Sequence, residues 1–253
     1  MDMLSICGIF KCKSIILFSQ NLTCSSLKLD VLSYDYAGYG ISPRTPSEEM
    51  TYEDLETVLS YAVTVLGYQL WEIYLWGFSL GTGPTVEIAK KYSTIGGVIL
   101  NSPLASCLAW LDNSPEKPFT GYKGTDFFSN ITKINDIQTK ILIIHGESDR
   151  IIPCSHSKSL YQKLKTMRKS VDKSTSNEWL ILIPEADHND IPFIIANPLS
   201  ELNKKIKGIL DFMYLAKKME KRHAKADLAM KYKKEPADLK QLFKKVRINY
   251  IGS

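Results

Sequence analysis

Seven short apolar runs, each bounded by turn residues, constrain this chain most. They are Leu4–Phe10, Ser14–Ser19, Asp30–Asp35, Trp71–Trp76, Gly97–Leu100, Lys140–His145 and Trp179–Ile183. Most are rich in β-branched residues and too short for helices, which suits strands buried on both faces of a parallel sheet. Between them lie Tyr52–Leu66, Gly81–Tyr92 and His156–Met167, whose apolar residues recur near every 3.6 positions. Thr51, three residues before Asp54, is the expected cap of the first. A last helix is expected from about Pro198, with Ile206, Ile209, Leu210 and Met213 facing inward. Strand alternating with helix predicts a doubly wound, mostly parallel α/β sheet with helices on both faces. The stretch Cys107–Asn130, with two prolines and little periodicity, reads as a loop or partial cap.

A chain of 253 residues is long enough for one well-buried core. Its charge is uneven. Twelve Lys/Arg against four Asp/Glu leave the segment 215–253 at +8, whereas the whole chain carries +5. Two parts are therefore expected: a globular domain over 1–214 and a basic, helical extension over 215–253. The five cysteines are scattered and include no Cys-x-x-Cys pair, which argues against a disulfide framework or a zinc site and for a reducing compartment. The N-terminus lacks the basic and long apolar regions of a secretory signal, and no apolar run reaches the roughly 20 residues of a membrane span. The expectation is a cytoplasmic protein, with peripheral membrane contact open to it. Neither a metal nor a cofactor is called for, nor a nucleic-acid partner.

The chemistry begins at Gly77-Phe-Ser-Leu-Gly81. Gly-x-Ser-x-Gly is a weak signal alone. Here it follows the run Trp71–Trp76 and opens the helix Gly81–Tyr92, the strand-to-helix turn that lifts a nucleophilic serine clear of a sheet. Ser79 is thus the candidate nucleophile, with the Leu80 N–H at the helix start placed to meet an oxyanion. A serine hydroxyl needs a base, and the histidines are His145, His156, His188 and His223. Asp149 follows the run ending at His145, and His188 follows the run ending at Ile183, so both fall in loops at strand C-terminal ends, where catalytic groups gather in such sheets. The order Ser79, Asp149, His188 is that of a hydrolase triad. Glu147 and Asp187 remain rival acids. His145 reads as a packed strand-end residue, His156 opens a helix, and His223 lies in the basic segment.

These segments resemble a known family. Leu32-Ser-Tyr-Asp-Tyr-Ala-Gly-Tyr-Gly40, Gly77-Phe-Ser-Leu-Gly-Thr-Gly-Pro-Thr85, Leu100-Asn-Ser-Pro-Leu104, Ile141-Leu-Ile-Ile-His-Gly146 and Asp187-His-Asn-Asp-Ile191 are similar to the α/β-hydrolase domain-containing protein 17 family, membrane-associated protein depalmitoylases. The resemblance spans about Leu4 to Ile195. It implies an α/β-hydrolase fold, N-terminally shortened, a Ser79–Asp149–His188 triad, and hydrolysis of a thioester joining a fatty acyl chain to a protein cysteine. The expected substrate is an S-acylated protein or a lipid-like acyl ester.

One departure bears on activity. Where the family has Ser-His-Gly-Asn, this chain has Ser19-Gln20-Asn21, so the second oxyanion donor would have to come from the backbone N–H of Gln20 or Asn21. Losing one such donor costs about 10²–10³ in rate. A catalytically weak or silent hydrolase-fold protein that binds a lipid or protein partner is therefore the rival expectation. The aromatic residues Trp110, Phe119, Phe127 and Phe128 are candidates to line an acyl pocket. The basic segment offers attraction to an anionic membrane of about 1 kcal/mol per Lys/Arg near the surface.

Overall fold

The run Ile141-Leu-Ile-Ile144 is fully excluded from solvent, and each such side chain stabilises the fold by roughly 1.5–3 kcal/mol relative to exposure. In the computed structural model it is the centre of a parallel strand, flanked by two others. The structure describes residues 4–9, 26–40, 42–111, 126–168, 178–221 and 248–251. They divide into two compact units, one of Met1–Tyr74, Thr94–Gly97 and Phe193–Ser253, the other of Leu75–Ser93 and Val98–Pro192.

In the first unit, β1 (Leu4–Ile9) pairs parallel with β2 (Asp30–Asp35), Leu4 opposite Asp30 and Ile9 opposite Asp35. Helix α1 (Glu48–Thr64) packs on β1. It starts a turn before the expected cap. Ser47 is the N-cap, its Oγ accepting the Met50 N–H at 3.1 Å, while Thr51 Oγ1 donates to Glu48 O inside the helix. Glu48 and Glu49 fill the first turn, where carboxylates complement the helix dipole.

Asp54 is freed from capping for another task. It is fully buried and accepts the Ala37 N–H at 2.7 Å while pairing with Arg44, so it anchors the loop that follows β2. Burial raises its carboxyl pKa, and the Ala37 N–H and Arg44 oppose that rise. Gly40 closes the same loop at φ +58°, where a Cβ would lie 2.2 Å from Asp35 Oδ2. The Asp54→Ala variant is expected to lose about 3 kcal/mol, because it removes the acceptor of the Ala37 N–H and the buried partner of Arg44 together; urea unfolding measures this.

Strand β3 (Ile73–Phe78) crosses the division between the units and leads to α2 (Thr82–Lys91). In the second unit the strand order is β6-β5-β4-β3, with β4 (Gly97–Asn101), β5 (Ile141–Gly146) and β6 (Glu178–Ile183) all parallel. The stretch expected to be loop or partial cap opens with the short helix α3 (Cys107–Leu111), and α4 (Asn130–Lys133) begins at its last residue. Helix α5 (Ser155–Arg168) packs on β5 and β6.

Helix α6 (Ile191–Ala196) leads to α7 (Glu201–Lys221), which buries Ile206, Leu210 and Met213; Ile209, expected beside them, is half-buried. Asn203 fixes the start of α7 by donating to Ser26 Oγ at 2.9 Å and Ile195 O at 2.7 Å. The segment 215–253, expected to be helical, is helix over its described residues up to Lys221, and 222–247 lie outside the described residues. Its residues 248–251 form β7 (Ile248–Ile251), antiparallel to β2. The expected strand Ser14–Ser19 lies outside the described residues. Among the described residues, no helix is long and apolar enough to cross a membrane.

Candidate active site

At the end of β3 the chain turns through a single 3₁₀ turn, Ser79–Gly81, into α2. Ser79 sits at φ +54°, a left-handed conformation that costs an L-residue roughly 1–2 kcal/mol. Surrounding contacts hold it there. Thr82 Oγ1 donates to Ser79 O at 2.7 Å, and Asn130 Nδ2, from α4, donates to Thr82 Oγ1 at 3.2 Å and to Leu104 O at 3.0 Å. Gly77 is required by close approach: a Cβ there would lie 2.7 Å from both Gly81 O and Thr82 Cα, which are backbone atoms. The serine side chain is left half-buried at the rim, and Leu80 follows it in the same turn.

Asp149 stands three residues beyond β5. Its Oδ1 accepts the N–H of Ile151 at 2.9 Å and of Ile152 at 2.8 Å, a turn that fixes the carboxylate plane. Its Oδ2 faces His188 Nδ1 at 2.7 Å. His188 stands five residues beyond β6, is 4% exposed, and lies against the Phe78 ring with centroids 4.9 Å apart. A carboxylate can only accept, so Nδ1 carries a proton, and in the neutral imidazole that tautomer leaves the lone pair on Nε2. Among the described residues, Ser79 Oγ makes no hydrogen bond to His188; such bonds commonly tighten only when substrate is bound.

The structure brings Asp149, and neither rival acid, to the His188 imidazole. Glu147 is exposed. The Asp187 carboxylate is engaged by Arg150, from whose N–H and Nε it accepts at 3.0 and 2.8 Å. Phe128 is buried against Gly83 of α2, Phe127 is exposed, and Trp110 Nε1 donates to Ile151 O at 2.6 Å. Gln20, Asn21 and Phe119 lie outside the described residues. Among the described residues no cluster of His, Cys, Asp or Glu is built to hold a metal.

One further histidine backs Asp149. His145 is fully buried, and its Nε2–H points at both Ile152 O, 2.8 Å away, and Asp149 Oδ2, 3.1 Å away; its Nδ1 accepts the Ser157 hydroxyl at 2.6 Å. Burial works to raise the Asp149 pKa, but the hydrogen bonds from His145, His188 and the Ile152 N–H outweigh it and hold the carboxyl well below its ordinary range. The contact between His145 and Asp149 carries a faint sequence signal, the spacing of four residues in His145-Gly-Glu-Ser-Asp149. The contacts of Asn130 with Thr82 and of Arg150 with Asp187 carry none.

His156 makes no hydrogen bond to Asp149. Its Nδ1 accepts the Ala105 N–H at 3.0 Å, and its buried Nε2 has no partner among the described residues. Burial pushes its pKa down to about 4, with His145 adding to the shift and Asp149 opposing it. A lowered imidazole pKa means that the unfolded chain binds a proton which the folded chain refuses. Stability is therefore full above about pH 6.5 and is lost as pH falls toward 4, by about 3 kcal/mol. Urea unfolding across that range is expected to show this loss, and His156→Asn, which keeps an acceptor for Ala105, is expected to flatten it.

A model of the alpha/beta hydrolase fold family matches residues 15–128. The chain is 37% identical over 174 residues to an alpha/beta hydrolase of Acanthamoeba polyphaga mimivirus, covering 67% of this chain and 60% of that protein. It is 34% identical over 167 residues to alpha/beta hydrolase domain-containing protein 17C of Mus musculus, covering 66% of this chain and 48% of the relative. The chain thus spans about half the length of the relatives it matches. Among solved structures, an esterase of Pyrococcus furiosus superimposes with a TM-score of 0.62 at 16% identity, over 84% of this chain and 82% of that one. A monoacylglycerol lipase of Paleococcus ferrophilus gives 0.53 at 15% identity, over 84% and 94%.

Proposed function

We propose that this chain, which has the alpha/beta hydrolase fold, is a serine hydrolase of acyl thioesters and esters, acting on S-acylated protein. Ser79 is the nucleophile, His188 the base and Asp149 the group that orients it. The observation that carries this reading is the 2.7 Å contact of His188 Nδ1 with a buried carboxylate, on a ring packed against the residue that precedes an elbow serine. Asp149 sets the tautomer that leaves Nε2 basic. Nε2 takes the hydroxyl proton as Ser79 Oγ bonds to the acyl carbonyl carbon, and the oxyanion leans on the Leu80 N–H. Collapse breaks the bond to sulfur, and the departing thiolate takes that proton from His188 and leaves as the thiol, which restores the neutral imidazole. Water, deprotonated by the same imidazole, then frees the fatty acid and restores Ser79.

The preference for a thioester rests on the likeness to domain-containing protein 17, since the triad itself attacks oxyesters equally well. The basic segment 215–253 is proposed to draw the enzyme to anionic membranes, where S-acylated proteins reside. Turnover of an S-palmitoylated peptide, beside a p-nitrophenyl ester series and a Ser79→Ala control, tests the assignment. The expected result is Ser79-dependent release of free thiol at a higher kcat/KM than the chain-matched oxyester. Folded protein that turns over neither would favour the silent, partner-binding reading, which draws on the absent His-Gly after Ser19.

A further inference from the structure

Arg150 immediately follows the acid, and Asp187 immediately precedes the base. We infer that Arg150 and Asp187 form a clasp that holds the acid loop against the base loop and thereby positions Asp149 on His188; this rests on the triad reading above. The Asp187 carboxylate collects four donors. Oδ1 accepts the Arg150 N–H at 3.0 Å and the His188 N–H at 2.8 Å, while Oδ2 accepts Arg150 Nε at 2.8 Å and Nη2 at 2.5 Å. One carboxylate thus spans the backbone of both loops. Asp187 is itself fixed, its N–H donating to Asp190 Oδ2 at 2.8 Å.

The clasp contrasts with the groups it aligns. The side chains of Asp149 and His188 are 0% and 5% exposed, whereas Arg150 is 86% exposed and Asp187 25%. An ion pair this open adds little to global stability. The bidentate guanidinium and two backbone N–H groups nevertheless fix direction, and alignment is what the acid–base pair needs: a misplacement of about 1 Å can cost about 10² in rate. The N–H groups of Arg150 and His188, then the guanidinium, draw the Asp187 carboxyl pKa down to about 2, so the clasp stays charged at neutral pH. Arg150 and Asp187 are positioning residues, not catalytic ones.

Two readouts test this on the whole 253-residue chain. The first is kcat and KM for a p-nitrophenyl ester; the second is solvent exchange of the His188 Nδ1 proton by NMR, which needs no turnover. Asp187→Ala is expected to lower kcat about 10- to 100-fold with KM held within about twofold and an unchanged urea midpoint. It should also speed exchange of the Nδ1 proton. Arg150→Ala, which is safe for folding because the side chain is exposed, should lie between, and Asp187→Asn, which keeps Oδ1 for both N–H groups, should recover most of the rate. Full kcat and unchanged exchange in Asp187→Ala would overturn the clasp. A wild type without turnover, whose Nδ1 proton is protected and loses that protection in Asp187→Ala, would remove the hydrolase reading and leave the clasp standing.

Discussion

Asp149→Asn is expected to lower kcat by about 10⁴ while the protein stays folded. The reason lies in which carboxylate oxygen is pinned. Oδ1 already accepts the N–H groups of Ile151 and Ile152, so the amide oxygen of asparagine takes that place and its NH₂ turns toward His188 and His145. His188 Nδ1 must then accept, its proton moves to Nε2, and the nitrogen that should take the Ser79 proton is blocked. His145 meets the same NH₂ with its own Nε2–H, so stability is also expected to fall, by about 2 kcal/mol for the lost charge-assisted hydrogen bonds. Initial rates on a p-nitrophenyl ester, with circular dichroism and urea unfolding as controls, measure both effects. A variant within tenfold of wild type would mean that Asp149 does not set the tautomer.

Removing the nucleophile is expected to cost more, about 10⁶ in kcat, a loss as large as deleting the whole triad. Two replacements should share that loss and differ in stability. Ser79→Ala keeps a Cβ at φ +54°, whereas Ser79→Gly relieves it, so the glycine variant should be more stable by about 1 kcal/mol. Equal stability would mean that the elbow relaxes once the hydroxyl is gone. An alanine variant with residual Ser79-independent turnover would place the chemistry on another group.

Much of the frame around this site is legible in the amino-acid order, because buried parallel strands are near-continuous apolar runs. The run at Ile141–Ile144 is strand and fully buried, and the elbow falls between β3 and α2 where the glycine spacing placed it. The helix start at Glu48 was missed because both Ser47 and Thr51 are competent caps. Only the packing of α1, which sends Asp54 to Ala37 and Arg44, selects between them. The short helix Cys107–Leu111 lacks the length for a periodic signal. The helical expectation for the basic segment followed its composition, which says nothing of Ile248–Ile251, a strand that depends on pairing with β2.

The site divides in the same way. Strand ends place Asp149 and His188 on neighbouring loops, and that much follows from alternation along the chain. Which carboxylate meets the imidazole does not, since Glu147, Asp149 and Asp187 all stand close by in sequence. That choice is made by side-chain direction: Asp149 turns inward on the Ile151 and Ile152 N–H groups, Asp187 turns to Arg150, and Glu147 faces solvent. The supporting contacts run between residues far apart in the chain, Asn130 to Thr82 and Arg150 to Asp187, and leave no local pattern to read.

Labelling with a fluorophosphonate probe tests the central claim most directly, because the probe bonds only to a serine whose hydroxyl is activated. Wild-type protein should gain the mass of one adduct on the peptide that carries Ser79. Ser79→Ala should gain none, and Asp149→Asn should label far more slowly. Folded wild-type protein that never gains the adduct, or that gains it on another serine, would contradict the account.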